Sequence, residues 1–332
     1  MTNSLLSRVA DSMYWMARYI ERAENAARFV DVNLQLMLDL SVGIQEQWEP
    51  LIQIGADDTL FASLNETTSK ESVMHFVTFD ERNPNSVLSC LQSARENARS
   101  IRESISAEMY EQINRTYLMV KAASADRTIM ESPVDFFQEV RMAGHLFEGI
   151  TEATMTHGEA WHFSRLGRML ERADKTMRLL DVKYFILLPS VAYVGTAFDE
   201  LQWAALLKSA SGFEMYRRLY GRIAPDSVVE FLLLDRDFPR SVHYCIIAAQ
   251  QSIHAISGTP LGTFRNSAEQ QLGRLRSELD YADKQRVIEG GLHEVLDLLQ
   301  KKLNLIDDAI YDTFFALQPQ QQQRAGNLAA SV

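Results

Sequence analysis

The chain has 332 residues, enough for one large domain or two of ordinary size. Gly (15) and Pro (8) are scarce, no Asn-Gly or Asp-Gly pair marks a hairpin, and no Gly falls between Ala56 and Ala143, so an all-α protein is expected. A formal net charge of −11 disfavours bulk attraction to nucleic acid or an anionic membrane, and neither is expected as a partner.

In chain order, Asn3 or Ser4 caps a first long helix expected over 5–40. Residues 48–64 read as helical with an interruption at 55–58, and Asn65 to Lys70 as a polar loop. Asn83-Pro84 supplies an N-cap and first-turn pair for a helix running to about Ile105, and 109–123 continues helical after a kink. Ser132-Pro133 opens another helix through Leu146. Residues 161–188 form a second long charged helix, and 198–220 are helical with a break at Gly212. A short helix starts at Pro225, another spans 239–256 and stops at Gly258, and 267–315 holds one or two long helices broken at Gly290-Gly291. The Gln-rich stretch 317–332 reads as a disordered tail. Tyr184 to Phe198 is free of charge but only 15 residues long, short of the roughly 20 a membrane helix needs, and is expected to be buried. Arg8 and Asp11 stand where a leader peptide would need an apolar core, and two cysteines, Cys90 and Cys245, suit a reducing compartment, so the expectation is a soluble, cytoplasmic protein.

On the first helix Met16, Ile20, Ala23, Ala27 and Val30 share one side, while Tyr14, Arg18, Glu21, Asn25 and Arg28 share the other, with Arg22 on its flank. The pattern returns at an offset of 150: Arg168, Glu171, Arg172, Ala173, Arg178, Asp181 and Val182 repeat Arg18, Glu21, Arg22, Ala23, Arg28, Asp31 and Val32. At an offset of 155, Trp48, Leu51 and Leu64 meet Trp203, Leu206 and Leu219, and Asp80, Pro84, Ser86, Val87 and Cys90 meet Asp235, Pro239, Ser241, Val242 and Cys245. The expected architecture is an internally duplicated helical bundle of two halves, 1–150 and 151–316, related by a pseudo-twofold axis.

Three readings of the charged positions stand side by side. Arg18, Glu21 and Arg22 with Arg168, Glu171 and Arg172 form a solvated face of ion pairs, a buried network clamping the halves, or a cavity for an anionic or zwitterionic ligand. Tyr14 and Asn25 lie on the same side and join the ligand reading. Glu21 and Glu171 are also candidate catalytic bases, because an Arg neighbour lowers a Glu pKa. Arg95, Arg99 and Arg102, spaced i, i+4, i+7, line one helix face, either as an exposed stripe paired with Glu96 and Glu103 or as a positive wall of such a site. His157, Glu159 and His162 are close in sequence, but i, i+2, i+5 does not converge on a helix, so no metal is expected. Cys90 and Cys245 read as small buried residues, and the four tryptophans as core or interface anchors. Without a catalytic-triad signature, glycine-rich phosphate loop or Walker sequence, no cofactor is expected, and any ATP used would be bound by another polypeptide.

Four blocks carry a family resemblance. Leu6-Ser7-Arg8-Val9-Ala10, Tyr14-Trp15, Arg18 to Asn25 and Ala27-Arg28 make the first, and Asn83-Pro84, Ala94 to Arg99, Ile101-Arg102-Glu103 and Asn114 the second. Trp161, Phe163, Leu166-Gly167-Arg168, Leu170 to Asp174 and Leu180-Asp181-Val182 make the third, and Phe238 to Val242 the fourth. Together they resemble the alpha-E family, a bacterial helical family named for its Glu-Arg motifs. His157 departs from the Arg that the resemblance leads one to expect. The resemblance implies a partner rather than a reaction: alpha-E proteins are typically encoded beside, or fused to, circularly permuted ATP-grasp proteins and transglutaminase-like peptidases, in systems read as making or modifying small peptides. It implies a free-standing subunit that binds a peptide or amino-acid substrate, or the ligase, through its Arg/Glu faces, with Arg240 of the fourth block among the binding residues. A stand-alone enzyme using Glu21 or Glu171, or a structural adaptor, are the alternatives.

Overall fold

The computed structural model describes residues 5–38, 48–55, 57–65, 67–126, 129, 133–185 and 196–316, and among these every regular element is helical. Two long helices form the centre: α1 (Ser7–Leu38) packs along α8 (Glu159–Phe185). α5 (Val87–Ser100) lies against α1, and α12 (Val242–Ser257) lies against α8. An outer tier closes each side. α6 (Ala107–Ser124) and α7 (Val134–Thr154) cover α5 and α1, while α13 (Ser267–Asp280) and α15 (Leu292–Ile310) cover α12 and α8. The shorter helices are α2 (Glu49–Gly55), α3 (Asp58–Leu64), α4 (Lys70–Thr78), α9 (Ala197–Ser209), α10 (Phe213–Tyr220), α11 (Pro225–Val229) and α14 (Lys284–Glu289).

α1 is buried on both of its sides. Met13, Met16, Ala23, Ala27 and Val30 sit in the apolar core, and Arg18, Glu21, Glu24, Asn25, Arg28 and Asp31 are buried as well. A charged face of this kind is retained inside a protein only when its charges are paired. The α1–α8 crossing is close enough to require glycine: a Cβ on Gly167 would lie 2.4 Å from the carbonyl oxygen of Tyr14.

Positions matched at the offset of 155 take up matched local structure. Ser86 caps α5 by accepting from Ser89 N at 3.2 Å, and Ser241 caps α12 by accepting from Tyr244 N at 3.0 Å. Ahead of each cap an aspartate accepts from the backbone two residues on, Asp80 from Arg82 N at 3.0 Å and Asp235 from Asp237 N at 2.8 Å. The thiols of Cys90 and Cys245 donate to the carbonyls of Pro84 and Pro239 at 3.7 and 3.6 Å. Burial pushes each thiol up to about 12, so neither is a reactive thiolate at neutral pH.

Several boundaries depart from the sequence expectation. α5 begins at Val87 behind Ser86, because Asn83 spends its side chain elsewhere: its amide donates to Phe76 O and its oxygen accepts from Asn85 N. α4 follows the loop expected over Asn65 to Lys70, in a stretch to which the sequence assigns no element; its start is a capping box in which Ser69 and Ser72 exchange side-chain and backbone bonds. The stretch 267–315 holds three helices and ends in a wide π turn at 311–315, with an extra break at 281–283. α12 ends at Ser257, with Gly258 behind it in a left-handed conformation (φ 67°), as the sequence predicts. The proposed caps Asn3 and Ser4, most of the apolar run 184–198 and the tail 317–332 lie outside the described residues.

Candidate functional site

The two Glu-Arg helices meet through these motifs. Arg22 of α1 grips Glu171 of α8 with two parallel bonds, Nε to Oε1 at 2.7 Å and Nη2 to Oε2 at 2.9 Å. Arg172 of α8 grips Glu21 of α1 in the same way, Nε to Oε1 and Nη2 to Oε2, both at 2.8 Å. Each helix thus gives its Arg to the other's Glu. This reciprocity is what two equivalent surfaces produce when they face one another, and the planar fork makes each grip two-point. The four side chains are buried or nearly so, Arg22 being the most open at 18%. The solvated-face reading is therefore excluded.

A second guanidinium completes each glutamate, and here the helices differ. Glu171 accepts from Arg18 Nε at 2.9 Å, with Lys175 Nζ at 3.7 Å. Arg18 is in turn held by Asp307 of α15 (2.6 Å) and by the Tyr14 hydroxyl (3.0 Å), which itself donates to Asp307 at 2.6 Å. The counterpart of Arg18 is Arg168, but it does not reach Glu21. Arg240 takes that place, donating to Glu21 Oε1 at 3.1 Å, Asn25 Oδ1 at 3.1 Å and Glu24 Oε2 at 3.0 Å. The position matched to Arg240 is Asn85, which accepts from Arg22 at 2.7 Å and donates to Asp57 at 2.9 Å. Arg168 is left with Glu148 of α7 at 3.3 Å, and its buried Nε has no partner among the described residues.

Burial alone would raise both glutamates. For Glu21 the guanidiniums of Arg172 and then Arg240 overcome it, and for Glu171 those of Arg22 and then Arg18; both carboxyls are held well below the usual carboxylate range. For Arg168 burial dominates and lowers its pKa, with Glu148 opposing. Around Glu21 lies a small recess lined by Ser164, Arg168, Arg172, Arg240, Glu24, His145 and Glu148, with room for about one water molecule. A wider cleft on the Glu171 side is lined by Arg22, Lys175, Asn85 and Asp57 over the apolar Phe29, Leu51 and Ile54.

Of the sequence candidates, Tyr14, Arg18, Glu21, Arg22, Asn25, Arg168, Glu171, Arg172 and Arg240 come together here. Arg95 and Arg99 do not. The face of α5 that carries them meets α6: Arg95 donates to Asn114 at 2.7 Å and lies over the Tyr117 ring, Arg102 lies over Tyr110, and Arg99 is exposed beside Glu96. The positive wall expected from that stripe is absent from the network. His157 stacks on Trp161, and Glu159 accepts from the Leu5 backbone, so this trio does not converge. The sequence reading missed Asp307, Glu148, Lys175 and Asn85. Asn85 had a signal, since it is matched to Arg240 at the 155 offset; Asp307 is one acid among several on an ordinary amphipathic helix and had none.

The chain matches the Alpha-E family model, described as a predicted alpha-helical domain with a conserved ER motif, over residues 5–315. It is also similar to an uncharacterized protein of Mycobacterium bovis, 24% identical over 275 residues that cover 76% of this chain and 30% of that protein. An uncharacterized protein of Mycobacterium tuberculosis is 23% identical over the same length and shares. The chain thus spans about 30% of the length of these curated relatives. No solved structure matches. With its ER motifs at Glu21-Arg22 and Glu171-Arg172 and the match running over nearly its whole length, the chain belongs to the Alpha-E family.

Proposed function

We propose that this chain is the non-ATP-binding helical partner of an ATP-grasp amide or peptide ligase system in the cytoplasm, holding a peptide or amino-acid substrate for a ligase on another polypeptide. The observation that carries this reading is the length of the relatives: the Alpha-E region makes up about 30% of each, so the same module is built into a larger protein. The alpha-E resemblance supplies the identity of the companion as an ATP-grasp protein, with a transglutaminase-like peptidase as a second candidate.

The network's geometry favours binding over catalysis by Glu21 or Glu171. Each carboxylate is gripped on both oxygens by an arginine fork and held strongly ionised, so it makes a weak base. The test is co-purification with the ATP-grasp protein encoded beside it, followed by ADP release with single amino acids and dipeptides. A complex that releases ADP faster than the ligase alone is expected. No complex and no stimulation would overturn the proposal.

A further inference from the structure

We infer that the recess at Arg168 is a binding site for the carboxylate of a small ligand, specifically the free C-terminal carboxylate of a peptide or amino acid. This deepens the substrate-holding role proposed above and rests on it.

The inference comes from the difference between Arg18 and Arg168. In Arg22 and Arg172 the Nε/Nη2 edge of the guanidinium is filled by a carboxylate. On Arg168 that same edge is half empty: Nε has no partner among the described residues, and Nη2 has only Glu148 at 3.3 Å. An Arg side chain 14% exposed with an unfilled fork is costly unless something fills it. The reason for the vacancy is local. Arg240 has displaced Arg168 from Glu21, so Arg168 is a surplus cation.

Space and charge agree. Where Tyr14 puts a phenol beside Arg18, the matched residue on α8 is Ser164, buried and lining the recess. The smaller side chain leaves the opening that the phenol closes on the other helix. Four guanidiniums (Arg28, Arg168, Arg172, Arg240) stand among three carboxylates (Glu21, Glu24, Glu148), an excess of one positive charge. Arg141 pairs with Asp31 beside them and adds nothing net. His145 at the mouth is held neutral, first by burial and then by Arg28 and Arg240. The excess favours an anion; one that displaces Glu148 takes over its charge and still lies beside Glu24. The recess holds about one water as it stands, so a ligand carboxylate enters by displacing Glu148, which is 37% exposed and gives up its contacts to Arg168 at 3.3 Å and Arg172 at 3.1 Å. A planar carboxylate fits the fork better than a tetrahedral phosphate.

The probe is the dipeptide Ala-Ala, titrated into the full chain by calorimetry, with Ala-Ala amide and inorganic phosphate as comparisons. Saturable binding of Ala-Ala is expected, lost on amidation and stronger than that of phosphate. Arg168→Gln and Ser164→Tyr should each weaken it roughly tenfold or more, the first by removing the fork and the second by rebuilding the plug that Tyr14 provides. Glu148→Gln should tighten it, because the competing carboxylate is gone, and that gain of affinity does not depend on a damaged fold. Circular dichroism at matched temperature checks that each variant is folded. Equal binding of the amide, preferred binding of phosphate, unchanged affinity in Arg168→Gln, or no binding of Ala-Ala at millimolar concentration would overturn the inference. Failure here with an intact ligase complex removes the recess alone; loss of the complex removes the broader proposal.

Discussion

Arg18 and Arg168 occupy matched places on matched helices, yet one is locked and the other loose. Arg18 has three bonds, to Glu171, Tyr14 and Asp307, none longer than 3.0 Å. Arg168 has one, at 3.3 Å. The difference arises from substitutions of neighbours rather than of the arginine: Ser164 in place of Tyr14, and Arg240 in place of Asn85. Both helices contribute to the clamp, while one guanidinium, that of Arg168, stays outside it. The clamp and the loose cation then have different energetics, which mutations can separate.

The largest effects belong to the clamp. Glu171→Gln leaves Arg22 without a charge partner and should cost about 3–5 kcal/mol in urea unfolding. Glu21→Gln takes the two-point partner from Arg172, which keeps Glu148 at 3.1 Å, while Arg240 keeps Glu24 at 3.0 Å, and should cost about 2–4 kcal/mol. Losses under about 1 kcal/mol would mean that the pairs are solvated. Because both carboxyls are depressed in the folded protein, their contribution is full above about pH 4.3, the unfolded Glu value, and is lost as pH falls through the lower folded values. The wild type should therefore lose stability steeply below about pH 4, and the two Gln variants less steeply, as followed by circular dichroism.

The helix crossing comes next. Gly167→Ala forces a methyl onto the Tyr14 carbonyl and should cost about 1–3 kcal/mol or more, since backbone cannot give way as a side chain does. Gly149→Ala on α7 meets nothing within 4 Å and should instead stabilise by up to about 1 kcal/mol through helix propensity. Similar values for the two would break the view that α1 and α8 touch backbone to side chain at this point.

Much of this architecture is legible in the residues. Scarce Gly and Pro, 3.6-residue periodicity and the 150 and 155 offsets point to an all-helical chain, and charged positions repeated at one offset mark Arg18, Glu21 and Arg22 and their copies as acting together. Three kinds of information were not. Helix starts shift when a cap residue is spent on another bond, as with Asn83 and Ser86. Short helices such as α4 carry too few apolar turns to be seen by periodicity. Partners from distant helices, such as Asp307 and Glu148, follow from packing alone. The Arg95 stripe shows the converse: a regular cationic face pointed to the site, but the side of α5 that carries it meets α6 instead.

The finest test compares the two outer acids. Asp307→Asn removes the charge that holds both Arg18 and Tyr14 and should cost about 1.5–3 kcal/mol, the range for hydrogen bonds to charged groups in partly buried places. Glu148→Gln removes a contact that is long on Arg168 and 3.1 Å on Arg172, from a side chain 37% exposed, and should cost no more than about 1 kcal/mol. The gap between the two, measured in the same urea titration, is the energetic form of the difference between the locked and the loose arginine. Equal losses would place Arg168 in the clamp after all and take away the cation that the recess offers to a ligand. A negligible loss at Glu148 would mean that this acid can leave without harm, which is what a carboxylate displaced by an incoming one must be able to do.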